Sequence, residues 1–100
     1  MFEFEGKQYE LKYNLKRVEM IEDATGVPTL ATMQRTGMRI SQLKVYLGYG
    51  LKEAGSDAFV APKKALDLTE QMIEEMGFAN ATSLVIEALQ RDCPFFFRAD

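Results

Sequence analysis

The sequence contains no histidine and only one cysteine, Cys93. Without histidine the chain lacks the commonest general base and the commonest metal ligand, so Ser-His-Asp and Cys-His mechanisms are excluded. A single cysteine cannot form a disulfide within the chain, which favours a reducing compartment. A glycine-rich phosphate-binding loop is missing as well. These absences predict a protein that is not an enzyme and that holds neither a metal nor another cofactor.

Long apolar runs and a basic charge balance are also missing. The apolar runs are a few residues long, whereas a membrane-spanning helix needs roughly 20. The first ten residues, MFEFEGKQYE, do not show the basic and then apolar pattern of a signal peptide. A net charge of −3 opposes extended contact with nucleic acid, which requires a basic surface. We therefore expect a cytoplasmic protein that binds neither a membrane nor nucleic acid.

What is present is the composition of one small folded domain, with 100 residues of which 47% are hydrophobic. Near the amino end, aromatic and aliphatic residues alternate with polar ones, which is the period of a half-buried strand. A turn at Gly6 separates the two alternating runs. The pattern predicts a β-hairpin with strands over residues 1–5 and 8–13.

Helix signals follow the hairpin. Asn14 and Gly26 predict a helix over residues 15–25, with Leu15 and Val18 on its inner face. A short helix over residues 29–37 is predicted to begin at Thr29 and to make its contacts through Leu30 and Met33. Two later helices are expected over residues 62–76, beginning at Pro62 and ending before Gly77, and over 81–92, capped by Asn80.

Residues 40–55 predict a central helix. Ser41 suits its start and Gly55 its end, and an apolar stripe recurs at helical spacing at Leu43, Leu47, Leu51 and Ala54. Gly48 and Gly50 lie inside this stretch, where each glycine lowers helix stability by about 1 kcal/mol, so close packing at the backbone is expected. The predicted fold is an α+β domain over residues 1–92: an N-terminal β-hairpin followed by four to five helices around a central helix, with a C-terminal tail over 93–100.

The charges of the first predicted helix oppose its dipole. Lys16 and Arg17 stand in the first turn, and Glu19, Glu22 and Asp23 stand toward the end. A solvated surface is the simpler interpretation of this pattern, and a binding surface is the alternative.

Apolar residues near the carboxyl end are candidates for partner binding. Phe95, Phe96 and Phe97 are too few to form a core, so they must fold back, dock on a partner or remain exposed. Met72 and Met76 lie on one face of a predicted helix, and methionine-rich faces can form adaptable binding surfaces, although core packing is the more ordinary role.

The order of these features resembles the tail assembly chaperones of long-tailed bacteriophages and prophages, and related small proteins of gene transfer agents. The resemblance lies in the hairpin pattern Phe4-x-Gly6-x-x-Tyr9-x-Leu11, in the acidic helix end from Glu22 to Gly26, and in Leu47-x-x-Gly50-Leu51. It extends over residues 2–89 and depends mostly on hydrophobic positions and two glycines.

The resemblance implies a non-enzymatic chaperone that binds the tape measure protein during tail assembly, with self-association as a further expectation. An alternative within the same particle is a tail-completion or head–tail connector protein that assembles as a ring. A third interpretation is a small helix-turn-helix regulator, supported only by the basic residues Arg35, Arg39 and Lys44 and opposed by the acidic net charge.

Overall fold

The computed structural model describes residues 2–34 and 38–96, and in it the predicted hairpin is present. Strands β1 (Phe2–Phe4) and β2 (Lys7–Leu11) pair antiparallel, with Phe2 opposite Tyr9. Glu5 and Gly6 both have positive φ, 51° and 78°, as tight two-residue hairpin turns require. The aromatic rings of Phe2 and Tyr9 stack with centroids 6.2 Å apart.

Along the described residues, the hairpin is followed by five α-helices and one further strand. The helices are α1 (Leu15–Thr25), α2 (Thr29–Gln34), α3 (Ile40–Gly50), α4 (Pro62–Met76) and α5 (Phe78–Asp92). Strand β3 (Leu51–Glu53) comes directly after α3, and one turn of 3-10 helix (Pro94–Phe96), here called the tail turn, comes after α5. The α+β class and the N-terminal hairpin followed by helices are confirmed, whereas β3 was not predicted.

Helix α3 lies at the centre of the fold. It contacts α1, α4, α5 and β2, and its side chains Leu43, Tyr46 and Leu47 are fully buried. Leu43 and Leu47 belong to the apolar stripe seen in the sequence, so burial of that stripe is the reason why the other elements surround this helix.

The predicted end of the central helix is wrong, because the helix stops at Gly50 and not at Gly55. Leu51–Glu53 instead forms β3, which pairs antiparallel with β2 and places Leu51 opposite Leu11. Backbone hydrogen bonds of 2.9 Å from Lys12 N–H to the Gly50 carbonyl and from Ala54 N–H to the Gln8 carbonyl hold this segment extended. These pairings with β2 outweigh the local helical period.

The ends of α1 are as predicted. Asn14 Oδ1 accepts a 2.8 Å hydrogen bond from Arg17 N–H, and Gly26 adopts a left-handed conformation with φ of 72°. The N-cap of α3 lies two residues earlier than predicted, because Arg39 takes the place of Ser41 and its N–H donates to Gln42 Oε1 at 3.0 Å.

Helix α4 begins at Pro62 as predicted, but α5 begins earlier than predicted. Gly77, with φ of 90°, ends α4, and α5 starts directly after it at Phe78. Asn80 therefore lies inside the helix, where its Nδ2 donates to the Met76 carbonyl at 2.8 Å instead of capping the helix.

The prediction of apolar contacts for α2 is partly wrong. Leu30 is exposed, whereas Thr29 and Thr32 are buried and Met33 is half-buried against the core. Thr29 N–H donates to the Glu22 carboxylate at 2.7 Å, and Thr29 Oγ1 accepts a 3.1 Å hydrogen bond from the Tyr46 hydroxyl. These two polar contacts orient α2.

Candidate partner-binding groove

Exposed apolar side chains meet where α1 approaches the tail turn. Leu15 is 68% exposed and Phe95 is 41% exposed, although both are large hydrophobic residues. They line a groove of about 330 Å³. We call this feature the α1–tail groove, and its lining consists of Leu15, Val18, Glu19, Glu22, Phe95 and Phe96.

The four groove residues on α1 form one face of the helix. Positions 15, 18, 19 and 22 recur at the spacing that places side chains above one another on an α-helix. Val18 is buried and forms the floor, while Leu15 stands exposed at the amino end. Glu19 and Glu22 follow toward the carboxyl end. The groove is therefore apolar at one end and acidic at the other.

The tail turn forms the opposite wall. The rings of Phe95 and Phe96 are tilted by 40° with centroids 4.8 Å apart. Phe96 packs against the core, whereas Phe95 remains exposed. The tail thus folds back through one phenylalanine and presents another to the groove that Leu15 also lines. Phe97, the third predicted candidate, lies outside the described residues.

A buried carboxylate fixes the two walls relative to each other. The Asp92 side chain, 3% exposed, accepts a 3.0 Å hydrogen bond from Tyr13 N–H just before α1, and it pairs with Arg91 at 2.8 Å and with Lys12 at 3.5 Å. Arg91 also donates to the Leu11 carbonyl. These contacts join the end of α5, from which the tail turn continues, to the segment that leads into α1.

The pKa of the Asp92 carboxyl reflects these opposing influences. Burial raises the pKa, but hydrogen bonds from Arg91 and Tyr13 N–H and the positive charges of Arg91 and Lys12 outweigh burial and hold the pKa below its ordinary value. Asp92 is therefore ionised at neutral pH, and the contact between α5 and the segment before α1 depends on that charge.

The two methionines predicted as partner contacts, Met72 and Met76, differ in how deeply they are buried. Met72 is fully buried on the face of α4 that packs against the core, which corrects its prediction as a partner contact. Ala65 and Thr69 precede it on the same buried face, so core packing accounts for the apolar pattern of α4. Met76 is half-buried and packs against the core edge, and it does not line the α1–tail groove.

The three basic residues that predicted a regulator surface differ in their surroundings. Lys44 Nζ pairs with Glu70 Oε1 at 2.6 Å, Arg39 is exposed at the start of α3, and Arg35 lies outside the described residues. A second groove of about 340 Å³ between α3 and α4 has this ion pair in its lining, so its cation is already neutralised.

Leu15 was not predicted as a partner-binding residue, because the helical pattern assigned it to the inner face of α1. The sequence feature that did indicate this surface was the reversed charge pattern of α1. Glu19 and Glu22 belong to the reversed charge pattern of α1, and the structure places both on the groove. Arg17, from the same pattern, instead has its guanidinium 3.7 Å from the centre of the Phe59 ring.

Comparison with known proteins gives no match to a family model, to a curated protein or to a solved structure. Among the helices of residues 2–34 and 38–96, none has the length and apolarity needed to cross a bilayer. Over the same ranges, no three metal-ligating side chains are grouped as a metal site would require.

Proposed function

We propose that this protein is a non-enzymatic tail assembly chaperone of the phage type, which binds a segment of a tape measure protein in the bacterial cytoplasm. The α1–tail groove is the observation that supports the proposal most. It offers exposed Leu15 and Phe95 above a buried apolar floor, with carboxylates at one end. Protein-binding sites commonly combine such an apolar centre with a polar rim.

The size of the groove suits a reversible interaction. Burying one leucine or phenylalanine side chain stabilises a complex by about 1.5–3 kcal/mol, before the loss of motional freedom on binding is subtracted. Two such residues supply about 3–6 kcal/mol, whereas a micromolar dissociation constant requires about 8 kcal/mol, so these two contacts alone support binding weaker than micromolar. An assembly chaperone must release its client, and an affinity in this range permits release.

The proposal is tested by co-expressing the tagged chain with the tape measure protein encoded in the same genome and quantifying the co-purified client. Leu15→Ser and Phe95→Ser each remove apolar surface from the groove, and we expect either change to lower recovery at least about 5-fold. Leu30→Ser is the matched control, since Leu30 is also an exposed helical leucine, 44% exposed, but lies outside the groove.

Equal recovery with Leu15→Ser and Leu30→Ser contradicts binding in the α1–tail groove. Absence of the client from the wild-type eluate contradicts the chaperone function itself. If the chain instead persists in finished particles as a ring of defined size, the tail-completion or connector role replaces the chaperone role.

A further inference from the structure

We propose that the α1–tail groove selects a basic amphipathic helix, an inference that rests on the proposed chaperone function and names the chemistry of the bound segment. An apolar side chain of this segment lies between Leu15, Val18 and Phe95. A lysine or arginine further along the same face of the segment meets Glu19 and Glu22.

The acidic end of the groove is the first reason. Among the described residues, no lysine or arginine lies within ion-pair distance of Glu19 or Glu22. Glu22 is held in place because one of its oxygens accepts the 2.7 Å hydrogen bond from Thr29 N–H, while Glu19 is exposed. A cation of the partner complements these two carboxylates.

The dipole of α1 adds to this negative potential. Within α1, which the structure describes throughout, the last turn contains no basic residue, and the partial negative charge of the carboxyl end is therefore not balanced there. Arg17 lies over the Phe59 ring, a contact outside the groove lining. The charge pattern that opposes the stability of α1 thus becomes favourable when a cationic segment binds.

The spacing of the two ends is the second reason. Leu15 and Glu22 are seven residues apart on α1, which corresponds to about 10 Å along the helix axis. A bound helix lying along α1 spans the same distance with an apolar residue at one position and a cation four to seven residues away. Both groups then share one face of the bound helix.

Fluorescence anisotropy with two labelled helical peptides tests this preference on the full chain. The first peptide has two leucines four residues apart, followed on the same face by two lysines four residues apart, and the second has glutamates in place of the lysines. We expect the lysine peptide to bind about 10-fold more tightly at low salt, because attraction replaces repulsion at two carboxylates. Glu19→Lys should reduce or reverse the preference, and Phe95→Ser should weaken binding of both peptides.

Equal affinity for the two peptides, or an unchanged preference in Glu19→Lys, overturns the inference. It is also overturned by a concentration-dependent dimer that Leu15→Ser abolishes, since a second copy then occupies the groove. A third result also overturns the inference. If a chain that ends at Phe96 binds the lysine peptide about 10-fold more tightly than the full chain, residues 97–100 occupy the groove.

The two proposals fail in distinguishable ways. Capture of the tape measure protein together with equal affinity for both peptides leaves the chaperone function in place and removes the charge preference. A clear preference for the lysine peptide without any capture of the tape measure protein removes the chaperone function and leaves a groove for basic helices.

Discussion

The ring of Tyr13 lies directly against the backbone of Gly50. A Cβ atom at Gly50 would lie 2.6 Å from Tyr13 Cζ and 2.8 Å from its hydroxyl oxygen, closer than any real packing contact. The ring cannot move aside easily, because its hydroxyl donates a 2.7 Å hydrogen bond to the Tyr46 carbonyl and its side chain is buried. Glycine at the end of α3 is therefore required by the aromatic residue that precedes α1.

Gly50→Ala is expected to destabilise the fold by about 1–3 kcal/mol, because the added methyl group overlaps a fixed ring. Urea unfolding followed by circular dichroism measures the change. Gly48→Ala is the control: its Cβ would lie 3.1 Å from Leu66 Cδ2, the end of a partly exposed side chain that can shift. Alanine also favours the helix, so an unchanged or slightly higher midpoint is expected for Gly48→Ala. Equal midpoints for Gly50→Ala and wild type would contradict the contact.

The free energy of unfolding should fall at acidic pH, because the Asp92 carboxylate becomes protonated. Its folded-state pKa lies below the ordinary aspartate value of about 3.9, so its contribution is complete above that value and is lost as the pH falls through the folded pKa. We expect Asp92→Asn to lower the free energy of unfolding by about 1.5–3 kcal/mol at pH 7. The difference from wild type should shrink as the pH falls from about 5 toward 2.

Glu70→Gln is the comparison for this pH series. The hydrogen bond and charge of Lys44 also lower the pKa of Glu70, but that pair is at the surface, where solvent screens it. Its unfolding midpoint should follow wild type across the series. If Asp92→Asn behaves like Glu70→Gln, the carboxylate does not hold α5 to the start of α1.

Cys93 should be protected from thiol reagents in the folded protein. It is fully buried at the start of the tail, and burial together with the nearby charge of Asp92 raises the pKa of its thiol. We expect reaction with a colorimetric disulfide reagent at pH 8 to be at least about 100-fold slower than in denaturing urea. Similar rates in the two conditions would show that the tail turn does not stay packed on the core.

The two described phenylalanines of the tail should separate stability from binding. Phe96→Ser removes a side chain that packs against the core and should lower the free energy of unfolding by about 1–2 kcal/mol. Phe95→Ser changes an exposed residue, and a change within about 0.5 kcal/mol is expected. Thermal unfolding of the two variants decides this, and a larger loss for Phe95→Ser than for Phe96→Ser would reverse the assignment of their roles.

Local sequence signals predicted helix ends correctly where those ends depend on residues that are close together in the chain. The cap at Asn14, the left-handed Gly26 and the start of α4 at Pro62 depend on neighbouring residues alone, and all three were predicted. The buried stripe of the central helix was predicted for the same reason, since Leu43 and Leu47 fix its inner face.

Where distant residues decide the structure, the sequence was misleading. Leu51 continues the helical spacing of α3, but pairing with β2 makes it the first residue of a strand. The groove likewise depends on residues far apart in the chain, because Leu15 and Phe95 line it together and the contacts of Asp92 hold α5 to the segment before α1. No local period reveals such a contact.

A photo-crosslinking amino acid placed at position 15 reports directly whether a tape measure segment binds in the α1–tail groove. The chain is irradiated after co-expression with the tape measure protein, and crosslinked peptides are identified by mass spectrometry, with position 30 as the matched control. We expect crosslinks from position 15 to a tape measure segment that combines apolar residues with lysine or arginine, and few from position 30. Equal crosslinking from both positions, or crosslinking from position 30 alone, would contradict binding in this groove.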